Sequence, residues 1–327
     1  MLLIKLIYTL GKPLSTKTIM DILPAELHSH ICSLACTDDG YTARSLSLLS
    51  RYFFQISLPF RYLSICVTKT PQIQFLSERL QATPSHLRKI QRLFISDDGC
   101  NSQALVNFMD ILMLAAPTLE TLALITTSSL TSASLIARIF RACFPRLHEL
   151  TIFGHYPFPS TPSCFPSLER LHLLGNRNPY GLLSLGGLET VMPNLTYLRV
   201  SGLTLAVSFS QELEQAFASS SSDEEDRMFP AKLPPKLEHL SIQCGPESSL
   251  TSPSLNFRLK DENMIQNLEK LEERVKKEGH ATKFSLLARS TRKLTVDDLH
   301  KQWVNRLRGK AGCWSSMWFY RVVVLKH

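Results

Sequence analysis

The residues of this chain best able to do chemistry are its histidines, cysteines and arginines, and their spacing limits what that chemistry is. His148, His172 and His239 recur at the flanks of similar apolar stretches, "PRLHELTI", "LERLHLLGN" and "PKLEHLSI". Recurrence at strand flanks reads as polar surface side chains rather than metal ligands. The eight cysteines, at 32, 36, 66, 100, 143, 164, 244 and 313, form no C-x-x-C pair. Cys32 and Cys36 are one helical turn apart, with no histidine at zinc-finger spacing. Cys66 and Cys143 lie in apolar patterns, as reduced core thiols do, which fits a cytoplasmic or nuclear protein. No G-x-S-x-G, phosphate-cradling glycine loop, H-E-x-x-H or zinc-deaminase arrangement occurs. The glycines of "GLLSLGGLE" follow no strand-to-phosphate geometry. The expectation is a chain that is not an enzyme, holds no metal and needs no cofactor. Its chemistry is then recognition.

The recognising side chains have to be positioned by something, and the sequence supplies a repeat. The stretch "PSLERLHLLGN" places leucines at 168, 171 and 173, a step of three and then two. The same step follows Pro117 (Leu119, Leu122, Leu124), Pro145 (Leu147, Leu150, Ile152), Pro193 (Leu195, Leu198, Val200) and Pro235 (Leu237, Leu240, Ile242). Two earlier copies lack the proline: Ile90, Leu93, Ile95 and Phe60, Leu63, Ile65. Successive copies start 30, 29, 28, 21, 27 and 42 residues apart. Proline fixes φ and lacks a donor, so it ends a helix and opens a turn. The first apolar residue tucks the turn inward, and the following pair puts both side chains on one strand face. Between copies lie helix-like runs, with Leu105, Phe108, Met109 and Leu112 on one stripe and Leu135, Ile136, Ile139, Phe140 and Cys143 on another. A strand and a helix cannot bury their apolar faces alone, so the units must stack.

This pattern resembles a leucine-rich repeat solenoid over about residues 58–245, with parallel strands and outer helices. Only Asn176 supplies the asparagine usual after the pair, so the series is irregular. An α/β domain with an ordinary parallel sheet is the bland alternative. In a curved solenoid, residues alternating with the leucines line a concave sheet. They are Arg92 and Phe94, Thr121 and Ala123, Glu149 and Thr151, Arg170 and His172, Tyr197 and Arg199, and His239 and Ser241. Arg92, Phe94, Glu149, Arg170, His172, Tyr197, Arg199 and His239 are the expected target-binding residues. Three arginines against one acid predict a target with acidic or phosphorylated side chains.

Upstream, Ile22–Arg61 reads as three short helices: Leu23-Pro24 opens the first, "TDDG" breaks it, and two more follow. L-P-x-E-L, then Ile31 with Ser33, then S-L-x-x-x-S-R-x-F, resembles an F-box. The resemblance implies docking on a Skp-type adaptor of a cullin–RING ubiquitin ligase. By position, Leu23, Pro24, Glu26, Leu27, Ile31, Leu46, Leu49 and Phe53 would form or support that surface. The whole layout is similar to F-box-like proteins predicted in mushroom-forming fungi. Such a chain is expected to be a substrate receptor; the alternative is a non-catalytic leucine-rich-repeat interaction scaffold without ligase function.

The expected division of the α/β chain is therefore residues 1–19 as a non-core extension, 20–60 as the F-box-like unit, 61–250 as solenoid, 251–310 as a helical cap and 311–327 as a tail of uncertain status. The acidic, serine-rich insert 218–230 reads as disordered, with Ser220, Ser221 and Ser222 at acidophilic kinase spacing. Within the cap, Met264, Ile265, Leu268, Leu271 and Val275 share one helix face, "KFSLLA" reads as a strand, and Leu299, Trp303 and Leu307 mark a last helix. Residues 281–327 hold 10 basic and 2 acidic residues, against 26 of each before them. That excess reads as a solvated cap, not as a nucleic-acid surface. The first ten apolar-rich residues are too few to span a bilayer, so no membrane partner is expected.

Overall fold

The computed structural model describes residues 23–97, 102–128, 131–159, 161–162, 164–185, 187–218, 230–247 and 255–314. The extension 1–19, the core of the insert with Ser220, Ser221 and Ser222, and the tail beyond Trp314 lie outside the described residues.

Eight strands follow the chain: β1 (Ser64–Val67), β2 (Arg92–Ser96), β3 (Thr121–Ile125), β4 (Glu149–Phe153), β5 (Arg170–Leu174), β6 (Tyr197–Leu203), β7 (His239–Cys244) and β8 (Lys283–Leu287). They form one sheet in that order, with every neighbouring pair parallel. The apolar triplets explain the register. Leu93, Leu122, Leu150, Leu171, Leu198 and Leu240 face one another across successive strands, and Ile95, Leu124, Ile152, Leu173, Val200 and Ile242 form the next row. Both rows are buried. A slip of one residue would turn every one of these side chains to the other face, so the apolar pattern pins the pairing.

The helices lie on the leucine side. They are α4 (Thr70–Ala82), α5 (Ser102–Ala115), α6 (Ser132–Phe140), the short α7 (Leu188–Val191), α8 (Val207–Phe217) and α9 (Leu255–Glu278), after α1 (Ala25–Ala35), α2 (Tyr41–Leu49) and α3 (Arg51–Ser57). Ile73 and Leu80, Phe108 and Leu112, Ile136 and Ile139, Phe209 and Leu213, and Met264 and Leu268 share one continuous core with the two leucine rows. The architecture is thus a solenoid-like α/β fold. Turns before the strands are tied to the preceding unit by side chains: Thr118 Oγ1 donates to the Ile90 carbonyl (2.9 Å), Asn194 Nδ2 to Pro166 (2.7 Å) and Thr282 Oγ1 to Leu237 (2.6 Å). These donors satisfy buried carbonyls without the asparagine row that the sequence lacks. At Gly175 (φ +99°) a Cβ would stand 2.7 Å from the Gly154 backbone, so two units close on each other only because no side chain intervenes.

Four expectations change. The first copy is displaced by two residues: Ile65 and Val67, not Leu63 and Ile65, stand opposite Leu93 and Ile95. A two-residue slip keeps the same face, and Leu63 instead accepts the Gln91 and Arg92 amides at the turn. The solenoid does not stop at 250, because β8 extends the sheet and α9 packs on α8. The segment expected as one cap is therefore divided, since its last helix, α10 (Val296–Leu307), leaves the end of the solenoid. Cys143 is exposed and Cys66 only half-buried, because Cys143 lies beyond the end of α6 where its stripe no longer faces the core.

Candidate functional site

Two surfaces are candidates for binding. The first is built by α1–α3. Pro24 caps α1, and its fixed φ of −58° suits the helix entrance. Asp38 starts α2 by accepting the Gly40 amide (3.0 Å), the Thr42 amide (3.0 Å) and the Thr42 hydroxyl (2.6 Å). Ser50 Oγ accepts the Phe53 amide (3.2 Å) at the head of α3. His28 Nδ1 meets the Tyr52 hydroxyl at 2.6 Å and its ring packs edge-on to Tyr52, clasping α1 to α3. His28, Cys32, Cys36 and Ala43 are buried, so this unit has a core of small and polar side chains. Burial pushes the Cys36 thiol up to about 12, with Cys32 and Asp38 adding to it. Gly40 lies directly against the Ser64 carbonyl of β1, where a Cβ would come within 2.8 Å, and this contact seats the unit on the sheet edge.

What α1–α3 leave outside is apolar. Seven of the fifteen large apolar side chains exposed among the described residues lie on these helices: Leu27, Leu34, Tyr41, Leu48, Leu49, Tyr52 and Phe54. Leu48 is 85% exposed, Leu49 53% and Leu27 48%. Of the expected adaptor residues, Pro24, Glu26, Leu27 and Leu49 are exposed, and Leu23, Ile31, Leu46 and Phe53 are half-buried. Leu34 and Leu48 belong to the exposed set although the family pattern did not mark them.

The second surface is the sheet face opposite α4–α9. Alternation places the expected target-binding residues there in two rows. Arg92, Thr121, Glu149, Arg170, Tyr197 and His239 are successive neighbours, as are Phe94, Ala123, Thr151, His172, Arg199 and Ser241. They are not free, however. Helix α10 lies across this face, and Leu299 and Trp303 pack with Phe94, Ala123, Ile125 and Leu174 in a second apolar cluster. The Phe94 ring is 5.7 Å from that of Trp303 and 5.2 Å from that of His300. Glu149 accepts from Arg306 Nε (2.8 Å) and from Trp314 Nε1 (3.0 Å). Arg199 donates to the Cys313 carbonyl, to Gln243 Oε1 (2.8 Å) and to Ser201 Oγ (3.1 Å).

Phe94, Glu149, His172 and Arg199 are consequently buried. The reading of His172 as a surface residue is corrected: it is 1% exposed, bonded to Ser201 Oγ at 2.9 Å and lies edge-on to Trp314. Burial, and secondarily Arg199, holds its imidazole well below the usual range, so it is neutral. Burial also lowers Arg199 and pushes the Cys313 thiol up to about 12. Arg92, Arg170, Tyr197 and His239 stay half-buried at the margin, where Arg170 lies over Tyr197 (5.2 Å) and Tyr197 stacks on His239 (4.6 Å). His148 is exposed, 3.6 Å from Glu169. Among the described residues no group of three His, Cys, Asp or Glu side chains is placed to hold a metal ion, and no helix is long and apolar enough to cross a membrane.

The two surfaces belong to a solenoid-like α/β protein whose parallel sheet carries α4–α9 on one face and α10 across part of the other. No family model, curated protein or solved structure shows a significant match to the chain.

Proposed function

We infer that this chain is the substrate-recognition subunit of a cullin–RING ubiquitin ligase, in which an F-box formed by α1–α3 docks on a Skp-type adaptor. The solenoid, read as irregular leucine-rich repeats, holds the target, and the chain itself makes and breaks no covalent bond. One observation carries this reading: the concentration of uncovered apolar side chains on three short helices. Burying a leucine contributes about 1.5–3 kcal/mol. Leu27, Leu34, Leu48 and Leu49 together therefore favour association with a partner over exposure to water. The caps at Asp38 and Ser50 favour the helical form of α2 and α3 independently of a partner.

The test is co-purification with recombinant Skp-type adaptor. Pro24 and Leu27 are exposed, so Pro24→Ala with Leu27→Asp removes contact surface while leaving the core intact. Adaptor capture is expected to fall by about 100-fold, as loss of a central contact does, with a stability loss of no more than about 1 kcal/mol from the change at the α1 cap. Capture equal to that of the wild-type chain would remove the F-box reading and leave a non-catalytic interaction scaffold.

A further inference from the structure

We propose that the sheet face opposite α4–α9 is a receptor groove for an amphipathic helix that offers an arginine to Glu149, that α10 with the Gly312–Trp314 turn is its resident occupant, and that the target binds by displacing α10. This deepens the reading of the solenoid as the target-holding part, and adaptor binding plays no part in its test.

Three observations lead there. The first is the docking pattern itself. Leu299, Trp303 and Arg306 follow at helical steps of four and three, so all three lie on the buried side of α10. Leu299 and Trp303 enter the apolar cluster around Phe94, and Arg306 reaches Glu149, a carboxylate 157 residues away in the chain. Beyond the helix, Arg199 holds the Cys313 carbonyl, a partial negative charge at the end of the turn. The face thus has an apolar floor, a central acid, Glu149, that Arg306 shares with Arg170 (3.8 Å), and a cation, Arg199, spent on a carbonyl. A competing helix therefore has to present an arginine to Glu149 where Arg306 now stands.

The second observation is that the fit is incomplete. Arg92 Nη1, Ser96 Oγ, His172 Nδ1 and Trp303 Nε1 are buried without a hydrogen-bond partner, and all belong to α10 or the face beneath it. A cavity of ≈ 20 Å³ remains between Trp303, Gln302 and the sheet. Unsatisfied polar groups and voids oppose burial, so a helix that offers partners to Arg92, Ser96 and His172 would bind this face better than α10 does.

The third is that α10 is built to survive undocking. Its start is secured locally, by a reciprocal cap between Thr295 and Asp298 and by a two-bonded Arg292–Asp298 pair at 2.6 and 2.7 Å. The link from β8 spans residues 288–295 and contains no helix or strand. Ala288, Arg289 and Ser290 are bonded to the solenoid at Gln243, Gly245 and Cys244, so only the five residues after them can swing, and an undocked α10 stays near the face at an effective concentration of order millimolar. An external helix can outcompete that concentration.

The test uses the whole chain and its own cysteines. Cys313 is buried in the docked turn, against Arg199 of the sheet face, whereas Cys244 belongs to the core of β7. Iodoacetamide labelling of both is followed by mass spectrometry with increasing amounts of a synthetic peptide of residues 294–314 carrying Cys313→Ser. The peptide is expected to speed Cys313 labelling about tenfold at millimolar concentration, leaving Cys244 unchanged. The same peptide with Arg306→Glu is expected to have no effect. In the whole-chain variant Arg306→Ala, lacking the Glu149 contact, Cys313 is expected to label about tenfold faster without peptide. Acceleration at Cys313 alone, in either chain, supports the groove. No acceleration in either chain, or acceleration only together with Cys244, overturns it. Equal competition by the Arg306→Glu peptide overturns the need for an arginine at Glu149.

Discussion

Helices α1–α3 and the sheet face beneath α10 are both apolar surfaces bordered by polar groups, yet one is open to water and the other is filled by the chain itself. On α1–α3, Leu48 is 85% exposed; beneath α10, Phe94 is 0% exposed. The difference is where each surface finds its cover. The α1–α3 unit is too small to bury its own leucines: its interior is filled by His28, Cys32, Cys36 and Ala43. The sheet face spans several strands and can seat a whole helix, and α10 is tethered close enough to reach it. The same apolar composition is therefore left uncovered in one place and forms an intramolecular interface in the other.

Removing Phe94 should sharpen the contrast most. Phe94→Ala is expected to cost about 3 kcal/mol in urea unfolding, the usual range for a buried aromatic. Next comes Glu149. Glu149→Ala leaves Arg306 and Trp314 Nε1 without their acceptor and is expected to cost about 2 kcal/mol. A loss no larger than that of a surface substitution would mean that α10 is not held at its centre.

A smaller effect comes from pH. His172, whose ring meets Ser201, Arg199 and Trp314, is held neutral beneath the docked turn. A histidine whose folded pKa is depressed contributes stability above its unfolded value of about 6.5, and that contribution fades as pH falls below it toward the folded pKa. Between pH 7.5 and 5.5 the melting temperature is expected to drop by the equivalent of about 1 kcal/mol. In His172→Gln the drop in this window should shrink. An unaltered profile in the variant would place the responsible group elsewhere.

The smallest effect tests the open surface. Leu48→Asp is expected to leave unfolding within about 0.5 kcal/mol of the wild-type chain. A loss comparable with that of Phe94→Ala would show that α1–α3 are covered after all and would erase the contrast.

The leucine ladder was legible in the sequence because it rests on short-range periodicity. A step of three and then two dictates a turn and a one-faced strand, and Leu93 to Leu240 then have one register in which all are buried. The alternating row from Arg92 to His239 followed from the same period, and the three helices between Ala25 and Ser57 from Pro24 at the entrance and the "TDDG" break. The first copy was misread by two residues because a period of two cannot tell one register from the next but one. The place of α10 was not legible. Its stripe of Leu299, Trp303 and Leu307 announced that it needs an apolar partner, but no local pattern says which. Glu149 and Arg306 are 157 residues apart, and they meet only because eight strands, once stacked, present a face broad enough for a helix. Sequence thus determined which side chains leave water together, while the tertiary structure decided that the face expected to await a target is already occupied.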